Sequence, residues 1–197
     1  MWYVRGIAVL DGKEKYRIEA YAVVSDDDCI ADVHGEMPES LKNDAEWAFF
    51  QHGLDAADVT VLGRRSHDAT PNHASRRRLV MTRSVADVNT DGLIVFWNPA
   101  GAELSAALNA FDLPVTHLAV AGGQTIFDYF LTGPYMYTAF HLSRVHGVHL
   151  TGGTGVFSHV KPDGISAEMV LERHGYLPGE RCILDEGVDV VSWSLTT

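Results

Sequence analysis

Two segments of the chain place glycine after a short apolar run and before a stretch with helical spacing. Residues 118–121 run into Gly122 and Gly123, and residues 59–62 run into Gly63. Glycine at such a turn lets the backbone approach a ligand closely, and the free N–H groups of a first helical turn can face an anion such as a diphosphate. A tight turn without a ligand explains a single diglycine equally well, and the spacing is not that of a GxGxxG fingerprint.

Arginines follow the Gly63 turn and flank the next apolar run. Guanidinium groups bind phosphate through a forked pair of donors. In a chain with a formal net charge of -11, a local group of arginines predicts a polyanionic ligand, although any single one of them could simply be solvated. Six of the fifteen Lys and Arg residues lie within a span of twenty, at Arg64, Arg65, Arg76, Arg77, Arg78 and Arg83.

A carboxyl group is predicted on a helix that should run from Ser40, as N-cap, to about residue 51. Leu41 and Ala45 belong to its apolar stripe, and Asp44 lies at the flank of that stripe. We therefore expect the Asp44 carboxyl to be partly buried, with a raised pKa suited to holding or relaying a proton. The alternative is an Asp44 that points into solvent from the first turn, where the helix dipole favours it.

The apolar runs also predict the elements that would position these residues. Strands are expected at 4–10, 18–24, 59–62, 79–82, 93–96, 118–121, 135–145 and 188–195. Helices are expected at 40–51, 102–111 and 124–131. Because strands alternate with helices through the middle of the chain, we predict an α/β fold with a parallel or mixed sheet and antiparallel edge strands in the tail.

Composition restricts the class of protein. A chain of 197 residues, 46% hydrophobic and 21% charged, is expected to form one domain over residues 1–197. The acidic charge disfavours nucleic acid as a partner. No apolar run suits a membrane span and the N-terminus lacks a signal-peptide pattern, so we expect a cytoplasmic protein. The sequence does not fix the oligomeric state, and the segment after residue 160 is a candidate homodimer contact.

Metal and nucleophile chemistry are not predicted. Cys29 and Cys182 lie in no metal-like spacing, and no Ser/His/Asp elbow motif is present. The acidic run at residues 26–28 lacks the alternation of a calcium loop and is interpreted as a solvated turn. The pair His146 and His149, with His141 and His159, could suggest a metal site, but no cysteine and no helix-borne His-Glu-x-x-His motif supports one.

Taken in chain order, these segments resemble the dihydrofolate reductase family over roughly residues 20 to 158. The strongest parts of the resemblance are the turns at Gly63 and at Gly122–Gly123, which in that family cradle the phosphates of NADPH. The resemblance implies a dihydrofolate-reductase-like three-layer fold, with helices on both faces of a mixed, mostly parallel sheet, and NADPH as cofactor. The residues that it assigns to the cofactor are Ala31, Gly63, Arg64, Arg65, Ser66, Thr82, Arg83, Ser84, Gly122, Gly123, Gln124, Thr125 and Ile126.

The same resemblance implies roles in substrate binding. Asp44 aligns with the family's helix carboxylate, which binds the pterin ring and helps to deliver a proton. Ser143 matches a hydroxyl residue that supports this carboxylate, and Trp47 lies beside it. Arg76 falls where the family binds the glutamate tail of folate. Residues 82–84 fall where the family holds the 2′-phosphate of NADPH, which implies selection against NADH.

Three features depart from the family pattern. Glu39 stands where a tryptophan is usual, Phe127 stands where a tyrosine is usual, and residues 152–157 replace a later Gly-Asp element. The glycine-rich stretch 152–157 resembles the reductase branch of riboflavin biosynthesis. The resemblance thus implies an NADPH-dependent reductase of a pteridine such as dihydrofolate. The alternatives are a reductase of a ribosylated pyrimidine and a nucleotide-binding module without turnover.

Overall fold

The computed structural model describes residues 16–72, 74–160 and 164–195. The strand expected at residues 4–10 lies outside these ranges. The strands are β1 (Arg17–Val24), β2 (Cys29–Ala31), β3 (Val59–Gly63), β4 (Arg78–Met81), β5 (Val88–Asp91), β6 (Ile94–Trp97), β7 (His117–Val120), β8 (Ala139–Val145), β9 (Thr154–Gly155), β10 (Tyr176–Asp185) and β11 (Val188–Leu195). The helices are α1 (Asp44–Ala56), α2 (Arg64–Ala69), α3 (Leu104–Leu108), α4 (Gln124–Thr132) and α5 (Ala167–Arg173).

Nine of the strands form one sheet in the order β10-β11-β8-β1-β7-β3-β4-β6-β5. The strands from β8 to β6 in this order are parallel, whereas β5, β11 and β10 are antiparallel to their neighbours. β2 and β9 form a separate antiparallel pair. The predicted α/β fold with a mostly parallel sheet and antiparallel C-terminal strands is confirmed. Of the two C-terminal strands, however, only β10 lies at an edge of the sheet, because β11 pairs on both sides.

Parallel pairing brings the two glycine turns together. Gly63 pairs with Met81 at the end of β4, and Val61 pairs with Val120 at the end of β7. The amide of Gly63 donates to the carbonyl of Gly122 at 3.3 Å. Both turns therefore lie side by side at the carboxyl edge of the sheet, which is where ligands usually bind in open α/β sheets.

Helices cover both faces of the sheet. Right-handed crossovers place α1 and α2 on one face and α3 and α4 on the other. On the first face, Leu54 of α1 packs against Tyr21 of β1 and Ala119 of β7. On the second, Phe127 and Phe130 of α4 join the main apolar core. This is the predicted three-layer arrangement. Within the described part of the chain, no helix is long and apolar enough to cross a membrane.

The helix that carries the candidate carboxyl groups begins later than predicted. Ser40 lies in a short 3-10 turn, and the N-cap of α1 is Asn43. Its Oδ1 atom accepts the N–H groups of Ala45 and Glu46 at 2.9 and 3.1 Å. The predicted N-cap at Ser40 is therefore wrong, because Asn43 satisfies the free donors of the first turn.

Gly53 allows α1 to lie close to the sheet. A Cβ atom at this position would collide with the ring of Tyr21. That ring is held in place, because it stacks on His141 at 4.6 Å and its hydroxyl donates to Glu19. Helix propensity alone would favour alanine over glycine by about 1 kcal/mol. We expect instead that Gly53→Ala lowers the free energy of unfolding by about 1–3 kcal/mol in urea denaturation. A gain in stability would contradict this packing.

Candidate functional site

The buried carboxyl group of α1 belongs to Glu46, two residues after the predicted one. Asp44 is exposed, whereas Glu46 is only 5% exposed. The side chain of Ser143 on β8 is near enough to the Glu46 carboxyl group to lower its pKa. Burial raises the pKa of Glu46 to about 7, and the Ser143 hydroxyl offsets only part of this rise. The predicted burial of Asp44 is therefore wrong, and Ser143 contacts Glu46.

Helical geometry explains why Glu46 is buried and Asp44 is not. Successive residues of an α-helix are rotated by about 100°, so Asp44 and Glu46 point to nearly opposite sides of α1. Glu46, Phe50 and Gly53 follow the spacing i, i+4, i+7 and share the side that faces the sheet. Asp44 therefore faces solvent in the first turn.

Topology places Glu46 at the carboxyl edge of the sheet. α1 connects the carboxyl end of β1 to the amino end of β3, so its first turn lies toward the carboxyl edge. Ser143 on β8 is in register with Val23 near the end of β1. β7, which ends at the Gly122 turn, pairs with β1 on its other side. The Glu46–Ser143 pair and the diglycine turn thus lie over neighbouring strands at one edge.

Aromatic side chains stand next to the buried carboxyl. Trp47 is 54% exposed, and its ring centroid lies 5.5 Å from that of Phe50. Phe50 is one turn after Glu46 and half-buried. Flat apolar rings beside one carboxyl group suit a planar heterocycle that carries hydrogen-bond donors along one edge.

The diglycine turn has the geometry of an anion site. Gly122 has a φ of +102°, which favours glycine, and a side chain here would press on the ring of Phe127. Gly123 is the N-cap of α4, and the position of its missing Cβ has no atom within 4 Å. The N–H groups of Gln124 and Thr125 belong to the first helical turn, whose donors have no partner within a helix and can bind an anion.

The glycine-rich stretch 152–157 packs against the diglycine turn. It contains β9, which pairs with β2 and so contacts Ala31. A side chain at Gly153 would collide with the carbonyl oxygen of Ala31. The side-chain amide of Gln124 donates to the carbonyl of Gly155 at 2.9 Å. The Gln124 side chain is therefore occupied, which leaves its backbone N–H for a ligand.

Buried charges hold the loop between β1 and β2. Arg144 donates to the Asp28 and Glu168 carboxylates at 2.6 Å each and to the carbonyl of Ser25 at 2.7 Å. Burial raises the pKa of Asp28, although Arg144 opposes the rise. Interpreting the whole acidic run 26–28 as a solvated turn was wrong for Asp28. This cluster ties α5 to the loop that precedes Ala31.

The six arginines do not form one cluster. β3 and β4 are parallel, so the residues before β4 lie at the opposite edge of the sheet from those that follow either strand. Arg76 and Arg77 therefore lie at the amino edge, whereas Arg64, Arg65 and Arg83 lie at the carboxyl edge. The prediction of a single polyanion site from all six arginines is wrong.

At the carboxyl edge, Arg64 forms an exposed ion pair with Asp68 at 2.9 Å. The hydroxyl groups of Thr82 and Ser84 hydrogen-bond to each other at 3.0 Å. Arg83 between them is exposed and has no ion pair within the described residues. Arg83 is consequently the arginine at this edge most available to an anion.

Arg65 and Ser66 lie in α2, beside the loop that follows β2. The Nη2 atom of Arg65 donates to the carbonyl of His34 at 2.7 Å and to Glu36 at 2.9 Å. Ser66 is half-exposed. On the other side of the turn, Ile126 is buried, and its Cδ1 atom lies 3.6 Å from the place that a Cβ atom at Gly63 would take. Ile126 therefore packs beneath the turn, and Arg65 is held by the loop.

Arg76 and Arg78 are both occupied by protein groups. Nε of Arg76 donates to Asp55 at 2.9 Å, and its Nη2 donates to Gln51 at 2.8 Å. Arg78 is buried, and its Nη1 donates to the carbonyl of Thr70 at 2.8 Å. Neither guanidinium is free at the site described above.

No family sequence model matches this chain, and no curated protein matches it in sequence. Solved structures match its fold. A dihydrofolate reductase from Enterococcus faecalis, complexed with NADP(H), superposes with a TM-score of 0.60 at 14% identity, over 94% of this chain and 99% of that one. A pyrimidine reductase-like protein from Corynebacterium diphtheriae gives 0.65 at 9% identity, over 93% of each chain.

A longer protein from Thermotoga maritima, a diaminohydroxyphosphoribosylaminopyrimidine deaminase/5-amino-6-(5-phosphoribosylamino)uracil reductase, gives a TM-score of 0.63 at 13% identity. The match covers 92% of this chain and 57% of that protein, so the chain spans little more than half of its length. The chain has the dihydrofolate-reductase-like fold, as the sequence predicts. At these identities the likeness shows the fold alone.

Proposed function

We propose that this chain is an NADPH-dependent reductase of a pteridine-type heterocycle. The observation that carries this is the buried Glu46 carboxyl, next to Ser143 at the same sheet edge as the diglycine turn. NADPH, when bound, supplies the hydride. Glu46 takes the place of Asp44 as the group that binds the ring and manages the proton.

The residues at the carboxyl edge fit a dinucleotide phosphate. The open surface at Gly123 and the free N–H groups of Gln124 and Thr125 would receive the diphosphate. The exposed guanidinium of Arg83, with the hydroxyl groups of its two neighbours, would hold a 2′-phosphate. The remainder of the cofactor would be lined by Ala31, Gly63, Arg64, Arg65 and Ser66.

Glu46 is suited to both binding and proton transfer. A carboxyl with a pKa of about 7 is protonated in a large share of molecules at neutral pH, which is where a general acid works best. Trp47 and Phe50 would cover a bound ring and keep water from it.

A ribosylated pyrimidine is the second candidate substrate. The stretch 152–157 favours it, because this segment resembles the riboflavin-type reductases and contacts both β2 and Gln124. Two of the structural neighbours carry names of that class. A nucleotide-binding module without turnover is the third reading, supported by Glu39 and Phe127 at positions where the reductases have tryptophan and tyrosine.

Binding and turnover separate these possibilities. We expect NADPH to bind with micromolar affinity in a titration followed by nicotinamide fluorescence, and a lack of binding would remove the cofactor. Oxidation of NADPH with a dihydropteridine supports the first candidate. Oxidation with a ribosylated pyrimidine alone supports the second, and binding without oxidation of either supports the third.

Arg83→Ala should weaken NADPH binding by about tenfold and change NADH binding less than about twofold, because only NADPH carries the 2′-phosphate. The measurement is a fluorescence titration with each cofactor. Arg173→Ala is the matched control, since Arg173 is an exposed arginine on α5. An equal loss for both cofactors would contradict the assignment of Arg83.

A further inference from the structure

A cavity of about 320 Å³ is lined by side chains of α5, β8, β10 and β11. It lies on the other face of the sheet from the proposed site. Leu142 on β8 lines the cavity, whereas the next residue, Ser143, points to the opposite face and lies near Glu46. Because the volume is at the lower end of the range of ligand pockets, the cavity suits a small molecule.

The sheet supplies apolar side chains and one unpaired donor to the cavity. Leu142, Val191 and Trp193 belong to its wall. Trp193 is only 3% exposed, yet its Nε1–H has no hydrogen-bond partner in the part of the chain that the structure describes. By contrast, Trp97 is also buried in the core and donates from Nε1 to the carbonyl of Ala102 at 2.8 Å. Since buried donors are normally paired, Trp193 favours a ligand that brings an acceptor.

Both arginines of the cavity already have carboxylate partners. Arg144 pairs with Asp28 and Glu168, and its side chain is only 15% exposed. Nη1 of Arg181 donates to Oδ2 of Asp189 at 2.9 Å. An anionic ligand would therefore have to displace a carboxylate from one of these guanidinium groups.

Glu172 is the carboxylate of the cavity that is left for a ligand. It is exposed and forms no ion pair with any of the described residues. It follows Glu168 by four residues on α5, so both carboxylates lie on the same side of this helix. A cation at Glu172 gains a partner without breaking an existing ion pair, and the net charge of -11 adds to its attraction.

We propose that this cavity binds a small organic amine, whose ammonium group pairs with Glu172 and whose body accepts a hydrogen bond from the Trp193 indole. The apolar part of the ligand lies against Leu142 and Val191. The inference goes beyond the proposed function and does not rest on it, because the cavity and Glu46 lie on opposite faces of the sheet.

Three probes that share a phenol ring and a two-carbon chain test the ligand class: tyramine is a cation at neutral pH, tyrosol is neutral and phloretate is an anion. Binding to the chain is followed by the NMR signal of the Trp193 indole N–H, which Trp193→Phe identifies. We expect tyramine to shift this signal and to bind about fivefold more tightly than tyrosol, the range of an exposed ion pair. Phloretate should bind more weakly than either, and the signal of the paired Trp97 indole should stay unchanged.

Glu172→Gln should weaken tyramine binding by about fivefold and leave tyrosol binding unchanged, because only tyramine carries the ammonium group. Asp91→Asn is the matched control, since it removes an exposed carboxylate on β5, at the opposite edge of the sheet. It should leave the dissociation constants of all three probes as in the wild type. Trp193→Phe keeps an apolar ring without the N–H group and should weaken tyramine and tyrosol by about three- to tenfold.

A Trp193 signal that none of the three probes shifts would overturn the site. Equal affinity for tyramine and phloretate, or tyramine binding that Glu172→Gln leaves unchanged, would overturn the amine as its ligand. These outcomes are independent of the proposed function, which fails only if NADPH does not bind or is not oxidised.

Discussion

Glu46→Gln should lower kcat/KM for the heterocycle by about 100- to 10,000-fold, the range that a positioned general acid contributes. Glutamine keeps the size of the side chain but cannot deliver a proton. NADPH affinity should change less than about twofold, because the diphosphate site lies at the Gly122 turn. Steady-state kinetics and a cofactor titration measure the two effects separately.

Asp44→Asn is the control, because it removes the same charge two residues away on the exposed side of α1. Its kcat/KM should stay within about twofold of the wild type. In the wild type, kcat should fall as the pH rises through about 7, where the Glu46 carboxyl loses its proton. Larger damage from Asp44→Asn than from Glu46→Gln would assign the proton to Asp44 instead.

Glu46→Gln should also make the protein more stable at alkaline pH. Folding raises the pKa of Glu46 from 4.5 to about 7. Because the folded state keeps this proton to a higher pH than the unfolded state, the Glu46 contribution to stability is most favourable below pH 4.5 and is lost as the pH rises through about 7. At pH above 7 the buried charge costs at most about 3 kcal/mol.

Glutamine carries no charge at any pH, so Glu46→Gln should gain up to about 3 kcal/mol over the wild type at pH 8 and less than about 1 kcal/mol at pH 5. Urea denaturation at both pH values measures this difference. Asp44→Asn should not show the gain, since Asp44 is exposed. Equal stability of Glu46→Gln and wild type at pH 8 would contradict the burial of an ionisable carboxyl at position 46.

The parallel half of the fold could be predicted because its strands are short, apolar and bounded by glycine. β3, β4, β6 and β7 lie within one or two residues of the predicted runs. The strand predicted at 135–145 begins only at Ala139, because Tyr137 packs in the core before β8 starts. The predicted helix 102–111 shortens to α3.

The exposed strands could not be predicted from the sequence. β10 is almost entirely exposed and contains Pro178 and Gly179, so neither alternation nor β-propensity marks it. β5, in the first half of the chain, is polar and mostly exposed, so it has no strand pattern either. The pairing with β11 and with β6 makes these segments strands, and this tertiary contact has no local signature.

The site residues divide in the same way. The turn at Gly122 and Gly123 could be predicted, because the two glycines mark it in the sequence. The resemblance placed Ser143 near the carboxyl group of the helix. Burial was predicted for Asp44 because Leu41 and Ala45 were taken as the apolar side of the helix, whereas Glu46 and Gly53 are buried. The spacing of Glu46, Phe50 and Gly53 is the pattern that could have found the buried side of α1.

Ion pairs were not predictable at all. The partners of Arg65 and Arg76 lie 29 and 21 residues away in the chain, and those contacts decide whether a guanidinium is free. Arg83 differs from them because it forms no ion pair with a carboxylate of the described residues. A cluster of arginines in sequence is therefore weak evidence for a cluster in space when parallel strands separate them.

Transfer of deuterium tests the central claim most directly. The protein is mixed with NADPH that carries deuterium at C4 and with a dihydropteridine, and the product is examined by mass spectrometry. We predict label in the reduced product for the wild type and for Asp44→Asn, and a loss of most label for Glu46→Gln at the same reaction time. Unlabelled, unreduced dihydropteridine in the wild-type reaction would contradict a reductase of this class.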